Sequence, residues 1–400
     1  MRLRTFEAYF LLKNGLLYSY PMLRHSIETE IVVVGAGITG ALISHALMEA
    51  GYKTVLVDKR DIGQGSTSAT TAMLQYEIDV PLFKLSKMIG EENAARCYAE
   101  GIEAIRNLGK LVDQFQIDCG FKSKQSLYVA HHLTARRSLE KEFEIREKNK
   151  LGVQWMDAAA VAGSFGITSE GGILSDTAAS TDAYRLAHEL IHLNCQRGMQ
   201  VYDQTQITGL EFDTNAVTIR TAGDNVIKAK KAIFCTGFET TQMLKEKIAK
   251  IFYTWACVSE EKIVLPGRLH DTLVWDTADP YFYMRSTADG RLLIGGEDSP
   301  YSSSVSKQVL KEKKSKLLVK KLQKMMPDVL FEEDFNWGGT FGSTKDGLPY
   351  IGASPEYESA YFVLGFGGNG ITFSVQGMNI ITDLLEGKEN ELAKLYRFGR

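Results

Sequence analysis

The stretch EIVVVGAGITGALISHALMEAGYKTVLVDK, residues 30–59, decides the fold. A β-branched run ends at Val34 and feeds directly into Gly35-Ala36-Gly37-Ile38-Thr39-Gly40. Apolar side chains then recur at helical spacing up to Gly51, and TVLVDK reads as a second buried strand. Strand, glycine turn, helix and strand within about thirty residues make a βαβ unit. The match to G-x-G-x-x-G gains its weight from this context, with Asp58 closing the second strand about eighteen residues further on. Gly35 permits the tight turn, Gly37 lets backbone approach a pyrophosphate, and Gly40 lets helix and strand pack closely. The helix that opens at Ile38 and Thr39 offers N–H groups and a positive dipole end to phosphates. Asp58 is placed to accept hydrogen bonds from ribose hydroxyls. A glycine turn in an empty α/β sheet is the weaker alternative.

The chain has 400 residues, more than one hydrophobic core usually serves, so two domains are expected. With 44% hydrophobic and 24% charged residues it reads as an ordinary globular protein. A net charge of −3 argues against nucleic acid as a partner. The five cysteines form no C-x-x-C pair and suit reduced thiols in a cytoplasmic protein. Glu7 and Lys13 interrupt the short apolar N-terminal run, which argues against a signal peptide, and no window suits a membrane span.

Outward from the βαβ unit, residues 63–79 read GQGSTSATTAMLQYEID, a run of small residues that ends in a block of acids. Amphipathic helices are expected over residues 91–117 and 182–197, the latter capped near Ser180 or Thr181. YFYMRSTADGRLLIGGE reads as a hairpin around Asp289-Gly290. A basic helix over residues 307–326 stops at Pro327, and a last helix begins near Ile371. KAIFCTG, residues 231–237, repeats the strand-then-glycine pattern far from the first one. GFGGNGI would start a helix whose N-terminus faces a ring that gains negative charge on reduction. Nucleotide-type features at the beginning, middle and end favour FAD over NAD. They predict a Rossmann-type α/β FAD-binding domain from residues 29–85, 176–250 and 336–396. An inserted mixed-sheet α+β substrate domain is expected from 86–175 and 251–335, after an extension over 1–28.

Taken together, these motifs resemble the FAD-dependent amine and amino-acid oxidases of the D-amino-acid oxidase superfamily. The resemblance lies with the branch that contains glycine, sarcosine and γ-glutamylputrescine oxidases. It covers about residues 30–390 and rests on the opening βαβ stretch with GQGSTSA, then AKKAIFCTG, YFYMRSTADGRLLIGGED, GTFGSTKDGLPYIG and YFVLGFGGNGITFS. It implies that Gly35, Gly37, Gly40 and Asp58 hold the ADP half, with Lys59 close by. Gly65, Ser66, Thr67 and Ser68 would follow the pyrophosphate and ribityl chain, and Thr70, Thr71 and Ala72 would reach the isoalloxazine. Ile207 would present backbone to the adenine, and Thr236 and Gly237 would line the cofactor. Gly342, Asp346, Gly368, Asn369, Gly370, Ile371 and Thr372 would surround the ring and ribityl. The family's covalent flavin cysteine has no counterpart, which implies non-covalent FAD.

The departures bear on the substrate, a small amine or amino acid that gives its electrons to oxygen or another acceptor. Phe341 stands where glycine-oxidase-like members carry a carboxylate-gripping arginine, and the Gly367-Gly368 pair replaces a second. Thr372 occupies the place of a lysine, and the region 74–79, with Tyr76, Glu77 and Asp79, replaces further arginines. Arg285 is the remaining candidate for a carboxylate, with a structural arginine paired to Glu297 or Asp298 as the competing reading. Glu77, with Glu297 as a second candidate, is expected to neutralise a cationic amine. Such oxidation moves hydride from the carbon beside a neutral amine to flavin N5, and the imine then hydrolyses. Tyr281, Phe282, Tyr283, Trp255, Tyr253, Phe341 and Trp337 are candidate walls. A flavoprotein subunit without amine turnover is the alternative.

His188-Glu189-Leu190-Ile191-His192 is a literal H-E-x-x-H, the spacing of a zinc site. The helix's apolar stripe leaves these residues toward solvent, and Gly198 occupies the place of a third histidine. A surface coincidence is the expectation, and no metal site is assigned.

Overall fold

The computed structural model describes residues 4–5, 8–301, 307–354 and 356–400. The Val-rich run forms strand Ile27–Val34, parallel to Thr54–Val57 on one side and Val226–Phe234 on the other. Among the described residues an eight-stranded sheet grows from this centre, with Gln200–Tyr202 beyond Thr54–Val57 and Ala360–Leu364 beyond Val226–Phe234. Period-2 alternation sends Ile31, Val33 and Leu56 into one core and Val32, Val34, Val55 and Val57 into another, so both faces are covered. Helices Ile38–Glu49, Ala183–Gln196 and Gly370–Leu385 contribute to the first core.

Among the described residues the second sheet has ten strands. Its central strands are Lys250–Ser259, Leu292–Pro300, Phe282–Ser286, Thr272–Asp276 and Lys122–Val129. Strands Gly172–Ser180 and Glu333–Ser343 belong to this sheet, so the boundaries expected at 176 and 336 cut through them. Within the 1–28 extension, strand Arg4–Thr5 pairs antiparallel with Glu333–Ser343, and Tyr9 and Phe10 of helix Tyr9–Asn14 are buried. Residues 1–3 and 6–7 lie outside the described set.

The hairpin forms as expected, with Gly290 at φ 86° between Phe282–Ser286 and Leu292–Pro300. The helix expected over residues 182–197 spans Ala183–Gln196, and Asp182 caps it by accepting the Arg185 N–H at 2.9 Å. The outward placement of the H-E-x-x-H face is corrected. His188 is buried with Nε2 3.1 Å from Ile62 O, and burial pushes its imidazole down to about 4. His192 stacks on Tyr18 at 4.1 Å between ring centroids, because the N-terminal segment runs across this helix. Among the described residues no three His, Cys, Asp or Glu side chains gather as a metal site. No described helix is long and apolar enough to cross a membrane.

Candidate active site

A cavity of about 1270 Å³ runs along the ends of the central strands and between the two sheets. That exceeds the roughly 300–1,000 Å³ of an ordinary small-molecule pocket. At one end Gly35, Gly37, Ile38 and Thr39 line it at the start of helix Ile38–Glu49. Gly35 has φ 106°, and an added Cβ would lie 2.5 Å from Cys235 O. Gly40 is behind the wall, where a Cβ would lie 1.8 Å from Gly35 O. Its role is the close packing of turn and helix. Thr67 Oγ1 accepts the Ile38 N–H at 2.9 Å, which fastens the small-residue loop to the helix N-terminus.

Asp58 lines the same end, its Oδ2 accepting from Ala36 N at 2.7 Å and its Oδ1 from Arg60 N at 2.9 Å. Burial raises its carboxyl against these two backbone bonds. Each oxygen keeps a second acceptor site. Lys59 and Arg60 both reach Glu239 at 2.9 Å, a charged network that sequence reasoning missed in part. Ile207, Thr236 and Gly237 line this region as well.

Further along, Gly65, Ser66, Thr67, Thr70 and Thr71 form a wall. Ser68 and Ala72 turn away from it and are buried, with Ser68 Oγ donating to Gly65 O at 3.0 Å. Trp337 Nε1 donates to Ala69 O at 2.9 Å and Arg285 Nε to Thr71 O at 2.6 Å, so the loop is braced from behind. Opposite it stand Gly368, Asn369, Gly370 and Ile371 at the start of helix Gly370–Leu385. Asn369 Nδ2 donates to Gln75 O at 2.8 Å and Glu77 O at 2.9 Å, and Thr372 Oγ1 donates to Gln75 O at 3.2 Å. Asn369 is thus a wall and a brace, whereas Thr372 is a brace behind the wall.

Several expected site residues lie elsewhere. Gly342 is off the wall, packed by the rings of Phe238 and Phe366. Asp346 binds Arg400 through Nε at 2.9 Å and Nη2 at 3.1 Å. Burial opposes its charge, yet the Arg400 guanidinium draws its carboxyl below the ordinary 3.8. A carboxyl lowered on folding stabilises fully above that ordinary value, and the contribution is lost as pH falls through the folded-state value. Asp346→Asn is expected to cost about 2 kcal/mol at pH 7 and progressively less in acid, read as thermal midpoints across pH.

Arg285 does not line the cavity and pairs with neither Glu297 nor Asp298. Its Nη1 donates to Ser286 O at 3.0 Å, and its guanidinium stands 5.8 Å from the Phe10 ring. Burial pushes it down to about 10. Tyr76 is buried with its hydroxyl 3.1 Å from Ser175 Oγ. Glu77 borders the cavity, but its side chain is inaccessible; Ser175 Oγ donates to Oε1 at 2.9 Å and Arg146 Nη1 lies 3.6 Å away. Burial raises the Glu77 carboxyl and Arg146 opposes the rise. The assignment of Glu77 to a substrate cation is therefore corrected. Glu297 likewise serves Lys314 at 3.1 Å and Lys321 at 2.6 Å.

Their sequence neighbours take the wall positions instead. Asp79 is exposed, its carboxylate open to the cavity and accepting the Gly368 N–H at 3.1 Å. Asp298 lines the same end, and its Oδ1 is buried without a hydrogen-bond partner. Tyr281, Tyr283 and Phe341 are aromatic walls there, while Phe282, Trp255, Tyr253 and Trp337 pack in the cores. Tyr128 and Trp275, stacked at 3.6 Å, complete the wall and were not anticipated.

The family model described as "FAD dependent oxidoreductase" (DAO) matches residues 30–384. Gamma-glutamylputrescine oxidoreductase of Escherichia coli (strain K12) is 26% identical over 95% of this chain and 89% of its own length. Glycine oxidase from Geobacillus kaustophilus has a similar structure, with a TM-score of 0.77 at 20% identity, covering 93% of this chain and 99% of that one. L-proline dehydrogenase from P. horikoshii has a TM-score of 0.76 at 17% identity, covering 94% of this chain and 97% of that one. The donor set fits the family's dinucleotide: a glycine cradle that a Cβ would block, a helix N-terminus, and a carboxylate with free acceptor sites. The chain belongs to the DAO family of FAD-dependent oxidoreductases, and FAD is its cofactor.

Proposed function

We propose that the protein oxidises the C–N bond of a cationic amine that lacks a carboxylate beside the reacting carbon. One observation carries this reading: the substrate end of the cavity presents Asp79 and Asp298, and the guanidinium of Arg285 is turned into backbone carbonyls. The described cavity wall has three cations. Lys59 and Arg60 serve Glu239 at the nucleotide end, and Lys84 is solvent-exposed. A carboxylate substrate would thus meet like charges, whereas an ammonium would be neutralised.

Gly35, Gly37, Ile38, Thr39 and Asp58 would hold the ADP half, and Gly65–Thr71 with Gly368–Ile371 the remainder. FAD, when bound, accepts the two electrons released at the carbon beside nitrogen. The protein's own contribution is position and charge. Tyr281, Tyr283 and Phe341 enclose the amine's apolar part and exclude water, which strengthens its attraction to the two aspartates. Cys235 is the one cysteine in the described wall, and burial raises its thiol, which keeps it protonated. FAD is therefore expected to be non-covalent and to leave with the supernatant when the protein is precipitated with acid. Free cysteines support a cytoplasmic setting.

An anaerobic screen tests the function. Polyamines and other carboxylate-free amines are expected to bleach the flavin band, with glycine, sarcosine and D-amino acids slower by roughly a hundredfold. Bleaching by the amino acids alone would overturn the substrate class, and no bleaching by any amine would favour a subunit without amine turnover. Mixing the reduced protein with oxygen, and then with a quinone, identifies the acceptor.

A further inference from the structure

We propose that Asp298 is the catalytic residue that takes the proton from the substrate's ammonium group, making the neutral amine that can be oxidised. This rests on the amine-oxidising reading above and adds a proton acceptor to it. Two geometric observations support it. Asp298 is on the wall of the cavity that Asp79 also lines, and its Oδ1 is buried without a hydrogen-bond partner. An orphaned buried acceptor is costly unless something enters to satisfy it, and an ammonium does so with charge as well as a hydrogen bond.

The surroundings suit proton exchange near neutrality. Burial pushes the Asp298 carboxyl from 3.8 up to about 7, the Thr254 hydroxyl opposes this, and the negative charge of Asp79 adds to it. Tyr281 and Lys314 pull weakly in the lowering direction. Tyr283, also on this wall, has a raised hydroxyl and stays neutral. Glu297 is the nearest acid in sequence and is neutralised by Lys314 and Lys321 of helix Lys307–Met325. In the step, an N–H bond of the ammonium breaks and an O–H bond forms on Asp298. The neutral amine so formed is the species that bound FAD would oxidise, taking up the hydrogen of the carbon–hydrogen bond with its electron pair while C–N becomes C=N; the proton remains on Asp298.

The test is the pH dependence of anaerobic flavin bleaching, as the rate constant divided by the amine dissociation constant, for the best amine. In the parent protein this ratio is expected to rise through about 7. Asp298→Asn should lose at least roughly a hundredfold at pH 7 and recover only as pH nears the amine's own value of about 10. Asp298→Glu should restore a limb near neutrality. Asp79→Asn should move the limb to lower pH, because it removes a negative neighbour. Flavin content and thermal midpoint show whether each variant is folded. An unchanged profile in Asp298→Asn, or a loss equal at every pH, overturns the proposal while leaving amine oxidation standing. Failure of the parent to bleach with any amine overturns both.

Discussion

Gly40→Ala is expected to yield a colourless protein. The added Cβ would lie 1.8 Å from Gly35 O and 3.0 Å from Gly35 C, both backbone atoms of the turn that faces the cavity. A backbone carbonyl cannot rotate aside, so the turn must open or helix Ile38–Glu49 must draw back from strand Ile27–Val34. Either movement withdraws the helix N-terminus, and the Thr67 hydroxyl bonded to Ile38 N moves with it. Losing about 3 kcal/mol of cofactor binding corresponds to roughly a hundredfold in affinity. The flavin-to-protein absorbance ratio after gel filtration and a fluorescence titration with FAD read the effect. Gly163→Ala is the control: its Cβ meets nothing within 4 Å, in helix Ala158–Phe165, and it should keep full colour. Full flavin content in Gly40→Ala would mean that the turn does not hold the cofactor.

The cofactor end was legible in the sequence because its requirements are local. A turn that needs φ above zero, a close helix–strand contact and a short run of small donors all act between residues near in sequence, and each restricts residue type. Gly35 and Gly37 are read this way, whereas Gly65 to Ser68 and Thr70 to Ala72 are what the family resemblance implies, and of these Ser68 and Ala72 turn away from the cavity. Asp346 and Gly342 sit within the same kind of pattern, but what they touch is set by tertiary partners. Arg400, at the far C-terminus, claims Asp346.

The acids on the cavity wall stand one or two residues from those expected there, and the backbone explains one of the shifts. Period-2 counting along Leu292–Pro300 puts Glu297 on the face of Gly295, which lies against the Tyr283 ring at the cavity. The strand, however, is irregular here. Trp255 pairs with Gly296 and Tyr253 with Ser299, so two steps on one strand oppose three on the other. Gly296 at φ 124° and Glu297 at φ 57° absorb the extra residue. This bulge turns Glu297 toward Lys314 and Lys321 and places Asp298 on the cavity wall. Strand Phe282–Ser286 shows the opposite case. Its alternation is regular and Arg285 shares a face with Tyr283, but the Thr71 carbonyl intercepts the guanidinium. Side-chain periodicity gave the face, and the loop packed against it decided the partner.

Arg146→Met is expected to destabilise the holoenzyme more than any change on the cavity wall. The Arg146 side chain is fully buried, with Nε 2.6 Å from Glu142 Oε1, Nη1 3.6 Å from Glu77 Oε1, and the Tyr98 ring centroid 5.4 Å away. Glu142 also accepts Leu82 N and Phe83 N at 3.0 and 3.1 Å, where helix Leu82–Ile89 begins. Glu77 belongs to the segment whose carbonyls hold Asn369. One guanidinium therefore balances two buried carboxylates that tie helix Leu133–Lys148 to the turn beside the cofactor cavity. Removing it leaves both acids uncompensated, at a cost of about 3–5 kcal/mol. The same charges set the pH dependence. Burial already raises the Glu77 carboxyl, and without Arg146 no cation opposes the rise, only hydrogen bonds from its own backbone N–H and from the Ser175 and Ser126 hydroxyls. Protonation then relieves the repulsion, so the thermal-midpoint deficit of Arg146→Met should be largest above neutrality and shrink as pH falls. Adding Glu77→Gln to Arg146→Met should recover part of the loss at high pH and little at low pH. A deficit that stays constant with pH would show that lost packing against Tyr76 and Tyr98, rather than charge, is what Arg146 supplies.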